Sequence, residues 1–198
     1  MRTHKIEPIK RLLENATGIA VPTEGDARRS VRNVKPTAYR FAADGYIPNN
    51  RTFPLFVHRG AIRFDRRYDA AAIVERVFGS NGWKKAWRNG IYDFVHYHPK
   101  VFEVLGIARG SANVRLGGNR GTSLTLRAGD VIIIPPGVGH ECLRHTDDFL
   151  VVGAYPPTGT YSECRGSYQE YAKAIRQIRR VPRPKKHPLY GRTRRLNW

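Results

Sequence analysis

GIYDFVHYHPKVFEVLGIARG (residues 90–110) and GDVIIIPPGVGHECLR (residues 129–144) are the two stretches whose reading decides the fold. The first carries His96 and His98 two residues apart in Ile91–His98, a segment whose composition predicts a strand. Side chains two apart leave the same face of a strand with Cα atoms about 6.6 Å apart, near enough for two imidazoles to meet on one ion. Pro99 breaks the strand, so the chain can reverse and bring Glu103 of the next strand opposite the pair, adding a hard, negatively charged oxygen donor. In the second stretch the apolar strand Val131–Ile134 runs into Pro135-Pro136-Gly137-Val138-Gly139, a turn that returns the chain with His140 at the same level. Three nitrogens and one carboxylate result, a donor set for a divalent metal ion.

Around these stretches the chain reads as strand after strand: Val101–Arg109, Ala112–Leu116, Thr122–Arg127, Val138–Leu143 and Phe149–Tyr155, separated by tight Gly, Pro, Asn and Asp turns such as Gly117-Gly118-Asn119-Arg120-Gly121. Many short strands without intervening helices predict an all-β, antiparallel sandwich or barrel. Upstream, Phe53 to Val57 reads as a strand, and Ala70 to Phe78 as a helix with Asp69 as its N-cap and Gly79 at a left-handed C-terminal cap. Downstream, Ser167 and Glu170 form a capping box for a second helix with the apolar stripe Tyr168, Tyr171, Ile175 and Ile178, ended by Pro182. The resulting division is a basic N-terminal extension over residues 1–36, loosely attached or folded against a partner and with a short helical pattern at Ile9 to Leu13. A single domain over 37–198 follows, with its barrel at about 53–157, a helix at 167–180 and an extended basic tail at 181–198.

The chain has 198 residues, within the size of one domain, and its 40% hydrophobic and 26% charged residues are ordinary for a soluble globular protein. No apolar run approaches the roughly 18 residues of a membrane span, and no secretory signal is read at the N-terminus. The two cysteines are too few for a disulfide framework, which makes a reducing, cytoplasmic location the default expectation. The net charge of +19 is uneven: residues 1–40 carry +5, residues 173–198 carry +10, and the body between them only +4. The basic tail from Arg176 to Arg195 therefore admits a nucleic-acid reading, which ranks below that of a solvated strap pinning Leu196 and Trp198 onto the barrel or a neighbouring subunit.

The same residues resemble the two motifs of the cupin superfamily: Gly90, His96, His98, Glu103 and Gly110 in the first, and Gly129, Pro135, Gly137 and His140 in the second. Nine fixed positions at set spacings arise by chance on the order of once in a million shuffled sequences. The second motif departs at its end, where Arg144 stands in place of the usual Asn, a residue that is not a ligand. Residues from about 37 onward also look like small bacterial cupins of the YjlB type, through Ile47-Pro48-Asn49-Asn50, Trp87-Arg88-Asn89-Gly90 and Val151-Val152-Gly153-Ala154-Tyr155. The resemblance implies a jelly-roll barrel, or double-stranded β-helix, with one divalent metal (Fe, Mn, Ni or Zn) on His96, His98, Glu103 and His140. It also implies a homodimer.

Strand parity puts Tyr92 and Phe94 on the face of the histidine pair, Leu105, Ile107 and Arg109 on that of Glu103, and Cys142 on that of His140, as candidates for a substrate pocket. Arg109 at the barrel mouth would pair with a carboxylate or phosphate of a substrate or form a rim salt bridge, and Arg144 invites the same two readings. Cys142 reads first as a small apolar filler. His4, His58, His145 and His187 read as ordinary packed or solvated residues. The leading functional reading is a metal-dependent dioxygenase acting on a small polar metabolite. The alternatives are a sugar isomerase or epimerase using the same site, and a non-catalytic small-molecule or nucleic-acid binding protein.

Overall fold

The computed structural model describes residues 20–191, so the helical pattern at Ile9 to Leu13 and the pinning residues Leu196 and Trp198 lie outside the described residues. The strands are β1 (Thr37–Tyr39), β2 (Leu55–His58), β3 (Lys84–Asn89), β4 (Glu103–Arg109), β5 (Ser111–Leu116), β6 (Thr122–Arg127), β7 (Val131–Ile134), β8 (His140–His145) and β9 (Leu150–Tyr155). They form two antiparallel sheets, a six-stranded one in the order β1-β2-β7-β4-β9-β3 and a three-stranded one in the order β6-β5-β8. The three helices among the described residues are α1 (Glu24–Ser30), α2 (Ala70–Ser80) and α3 (Tyr168–Ile178).

Residue parity divides the core in two. Leu55, Val57, Leu105, Ile107, Ile132, Ile134 and Val151 point from the large sheet toward Ala112, Val114, Leu116, Leu126 and Cys142 of the small one, forming the barrel interior. Their strand neighbours Phe56, Val104, Ala108, Val131, Ile133, Val152 and Ala154 face the other way, onto Ala71, Ile73, Val74, Val77 and Phe78 of α2. Burial on both faces explains why Val131–Ile134 is uninterruptedly apolar instead of alternating. Gly106 lies where α2 crosses β4: a Cβ there would come within 2.6 Å of a Val74 methyl, so only glycine admits so close an approach.

Three readings of the sequence change. Helix α2 does not stop at Gly79 but continues to Ser80, and the positive φ falls instead on Gly82. Helix α3 has the expected capping box, but Tyr168 is 69% exposed and the buried residue of the helix is Ala174, whose small side chain packs with Ile47 and Tyr97. Residues 20–34 are not loose: Ala27 of α1 joins the outer core, Arg32 N–H donates to the Ala61 carbonyl at 2.9 Å, and the Tyr190 hydroxyl bonds to the backbone of Arg32 and Val34.

Candidate metal centre

The expected strand Ile91–His98 is not one. Residues 91–95 form no strand, although the Tyr92 carbonyl accepts from Cys142 N–H at 2.8 Å; bridge pairing starts at His96, which exchanges both backbone hydrogen bonds with His140, at 3.2 and 3.0 Å. Tyr97 does the same with Cys164, at 2.9 and 3.0 Å, and the His98 carbonyl accepts from Gly137 N–H at 3.0 Å. Alternation thus holds for three residues: Tyr97 turns into the small cluster with Ile47 and Ala174, while His96 and His98 turn to the opposite side.

His140 is delivered by a turn whose chemistry is explicit. Val138 N–H donates to the Pro135 carbonyl at 3.2 Å across Pro136 and Gly137, and Gly137 has a φ of +86°, the arrangement of a type II turn. Asn50 Nδ2 donates to the Pro136 carbonyl at 2.9 Å, and Asn49 Oδ1 accepts from Gly139 N–H at 3.2 Å, so the two asparagines hold the turn from outside the barrel strands.

The result is a trio of buried histidines whose ligand atoms lie within 4.8 Å of one another, with ring centroids 4.1 Å apart for His96 and His140. Two nitrogens each bonded to an ion at about 2.1 Å lie at most about 4.2 Å apart, so the trio is close to ligating spread. Every Nδ1 faces a backbone carbonyl: His96 that of Phe94 at 3.3 Å, His98 that of Ser162 at 2.9 Å, His140 that of Val138 at 3.2 Å. A carbonyl only accepts, so each Nδ1 carries the proton and each Nε2 presents a lone pair to the site.

Glu103, 2% exposed, completes the group. Its Oε2 lies 3.3 Å from His140 Nε2 and 3.5 Å from His98 Nε2, yet it is buried without a hydrogen bond. A carboxylate oxygen facing two imidazole lone pairs repels them unless a cation lies between, and a divalent ion fits that need. A proton is the other candidate: burial opposes a charge on His98, but the Glu103 carboxylate outweighs it and raises that histidine above its usual value. Burial likewise opposes ionisation of Glu103, and His98 and His140 outweigh it, holding the carboxyl well below its usual range. Burial, reinforced by His140 and His98, pushes His96 down to about 2, so it stays neutral and ready to ligate.

Comparison with known proteins shows the family. The Cupin family model matches residues 88–155, and the chain is 34% identical over 154 residues to the protein YjlB of Bacillus subtilis (strain 168), covering 78% of this chain and 90% of that one. The chain is a cupin of the YjlB type. Solved structures that resemble it include an acireductone dioxygenase from Bacillus anthracis with cadmium in its active centre (19% identity, 48% of this chain and 68% of that one, TM-score 0.34). Another is the QdtA 3,4-ketoisomerase from Thermoanaerobacterium thermosaccharolyticum (18% identity, 74% and 98%, TM-score 0.38), and a third is a double-stranded β-helix protein from Klebsiella pneumoniae (16% identity, 71% and 88%, TM-score 0.34). No helix among the described residues of this cupin is long and apolar enough to cross a membrane.

The histidines and Glu103 form the floor of a cavity of about 380 Å³, walled by Trp87, Ile91, Tyr92, Leu105, Tyr155 and Tyr161, with Lys85 and Arg88 on its lining. Leu105, on β4 with Glu103, and Tyr92, on the irregular segment where strand parity does not apply, both line it. Phe94, Ile107, Cys142 and Arg109 do not line it, because parity fixes a face but not a depth. Arg109 ends β4, whereas Glu103 begins it, so six residues at about 3.3 Å each put the arginine some 20 Å along the strand, exposed at the far end. Ile107 and Cys142 lie deeper in the barrel and pack in its apolar interior. Phe94 sits on the irregular segment, stacked on Tyr92 at 4.8 Å with the Arg165 guanidinium 3.9 Å from its ring. Arg144 is exposed on β8.

Trp87, Tyr155 and Tyr161 were not among the site residues expected from the sequence. Trp87 Nε1 donates to the Tyr155 hydroxyl at 3.0 Å, and Tyr155 comes one residue beyond the Val104–Ala154 pair of the β4–β9 register, beside Glu103. Burial and then the Glu103 carboxylate raise the Tyr155 phenol well above its usual value. Tyr161 comes from the loop after β9; its ring centre lies 4.9 Å from that of His98, and burial, with Glu163 beside it, pushes its phenol up to about 12.

Proposed function

We propose that this cupin holds one divalent metal ion on His96, His98, His140 and Glu103, and that it is a metal-dependent enzyme, a dioxygenase, acting on a small polar metabolite. The observation that carries the reading is the set of imidazole lone pairs converging beside the buried carboxylate of Glu103 on the floor of an open cavity. Four protein ligands are two short of octahedral coordination, which leaves room for small molecules at the centre. Bound there, iron or manganese would supply Lewis acidity together with redox chemistry toward O₂, and zinc Lewis acidity alone.

The protein's own groups have separable tasks. The carbonyls of Phe94, Ser162 and Val138 fix the three imidazole tautomers, and Glu103 supplies the negative charge that tempers a dication. Trp87, Tyr92 and Leu105 give one side of the cavity an apolar surface. Tyr155 and Tyr161 hold their protons at neutral pH; the Tyr161 hydroxyl donates to Glu163 at 3.3 Å, whereas that of Tyr155, which accepts from Trp87, is placed to donate a hydrogen bond into the site. These two phenols also support a second reading, a metal-assisted isomerisation in which a tyrosine returns a proton to the substrate.

The test is elemental analysis of tag-free protein purified without chelators, beside a His96→Ala/His140→Ala variant. Near-stoichiometric iron or manganese that disappears in the variant, followed by substrate-dependent oxygen uptake, is the expected result. Zinc or nickel without oxygen uptake would move the assignment to isomerisation. Wild-type protein that is metal-free and cannot be loaded would overturn both enzymatic readings.

A further inference from the structure

Strand β3 carries a defect at the pocket. Its register with β9 pairs Lys84 with Tyr155 but Trp87 with Gly153, so one extra residue is accommodated between Lys84 and Trp87. Within this bulge Lys85 adopts a φ of +52°, a left-handed conformation normally left to glycine because a Cβ is strained there. Strained non-glycine residues persist where the surroundings over-determine them, and bulges re-aim side chains beside binding sites. Lys85 lines the metal cavity.

The other charges of that cavity are committed. Arg88 is held by Glu75 at 2.7 and 2.8 Å and by Asp69 at 2.7 Å, and Glu103 faces His98 and His140. Lys85 forms no ion pair with the described residues, so the lining carries one uncommitted cation above a floor of metal ligands and beside the aromatic walls Trp87, Tyr92, Tyr155 and Tyr161. The charge complementary to this lining is a single oxyanion on a compact, largely apolar body.

We infer that Lys85, set at the pocket by the β-bulge, anchors the carboxylate or phosphate of a small organic anion whose carbon body lies against the aromatic walls. This names the substrate class of the site and rests on the reading that the metal cavity is the substrate cavity. Lys85 takes the part that was one of two sequence readings of Arg109, which ends the wrong side of the barrel for it.

The experiment is titration calorimetry of benzoate, phenyl phosphate and neutral benzamide against the wild type and the Lys85→Ala, Lys85→Arg and Lys85→Gly variants, with metal content measured for each. One or both anions bind the wild type, and the one that binds names the group. Loss of the ammonium weakens that binding about tenfold, the loss expected for one exposed charge-assisted hydrogen bond. Lys85→Arg retains binding within about threefold, benzamide is indifferent to the substitution, and metal content is unchanged. Lys85→Gly loses anion binding equally but melts no lower than the wild type, because glycine relieves the backbone; a merely structural lysine would not separate the two readouts. Anion affinity unchanged in Lys85→Ala, or no anion binding to the wild type, overturns the inference while leaving the metal reading standing. Protein without metal whose anion affinity still depends on Lys85 overturns the enzymatic reading and upholds the anchor.

Discussion

Gly153→Ala tests how the pocket wall is built. A Cβ at Gly153 would stand 2.1 Å from both Cε2 and Cζ2 of Trp87 and 2.6 Å from its Nε1, where carbon atoms normally keep about 3.5–4.0 Å. The indole would have to retreat by more than 1 Å, roughly the difference between these separations. The Nε1 bond to the Tyr155 hydroxyl at 3.0 Å and packing on the barrel interior oppose that movement, and the cavity is the space left to receive the ring. Overpacking costs about 1–3 kcal/mol and the lost hydrogen bond about 1, for a total near 2–4 kcal/mol. Removing a glycine also restricts the unfolded chain, which stabilises by roughly 0.4–1 kcal/mol, so the clash wins. For a chain of this size the net loss, about 1–3.6 kcal/mol, lowers the melting temperature by roughly 2–14 °C. The discriminating assay is a double-mutant cycle with Trp87→Leu: once the indole is gone, Gly153→Ala costs no more than about 0.5 kcal/mol. An equal loss in both backgrounds, or no loss in the wild type, would refute the idea that Gly153 exists to seat Trp87.

Two further outcomes follow from buried polar groups away from the site. Asp130 accepts from Gly60 N–H at 2.8 Å, Arg59 at 2.7 Å and Arg127 N–H at 3.1 Å, so Asp130→Ala strands two backbone donors and destabilises by roughly 2–4 kcal/mol, read as a lower urea midpoint at unchanged m. His58 and His187 pack ring to ring at 5.1 Å, and burial pushes them down to about 4 and about 3 from 6.5. Below pH 6.5 the unfolded chain therefore binds protons that the folded one refuses: their contribution is complete above that pH and is lost as pH falls toward 4. For His58 this amounts to about 3 kcal/mol, at about 1.4 kcal/mol per pH unit. His58→Phe should flatten the slope of stability between pH 6.5 and 4, whatever its constant offset, and an unaltered slope would show that His58 already titrates normally in the fold.

Much of the barrel was legible: Val131–Ile134, buried on both faces, is an apolar run, and it and Thr122–Arg127, set between Gly121 and Ala128-Gly129, begin and end where their composition says. Strand β3 was not, since Lys84-Lys85-Ala86-Trp87-Arg88-Asn89 is an exposed edge strand with no apolar pattern to distinguish it from a loop. Ile91–His98 looked more regular than it is, because aromatic and β-branched residues favour strands, while bridges form at His96 and Tyr97 and, before them, a single bond joins the Tyr92 carbonyl to Cys142 N–H. The histidine spacing survived that error, as it needs alternation over three residues only. Tyr161 could not have been found from periodicity: it reaches His98 through the path of a loop. Asn49 and Asn50 read as turn residues, and their bonds to the His140 turn belong to tertiary structure alone.

The registers also explain why the four ligand candidates meet at all. Glu103 opens β4 opposite Ile134, the last residue of β7, and His140 opens β8 opposite Leu116, the last residue of β5. One strand of each sheet therefore begins at the same end of the barrel, and residues 96–98 cross there, bonded to His140 and Gly137. An ion held by this set would tie the large sheet, through Glu103, to the small one, through His140. Apart from Leu105 of β4, most of the walls above it come from other elements: Lys85 and Trp87 from β3, Tyr155 from β9, Tyr161 from the following loop. Since the ligands and these walls stand on different elements, substitutions at Lys85 or Tyr161 should change which small molecule binds and leave metal content alone, whereas substitutions at Asn49 or Asn50, remote from any substrate, should lower metal content by loosening the turn that carries His140.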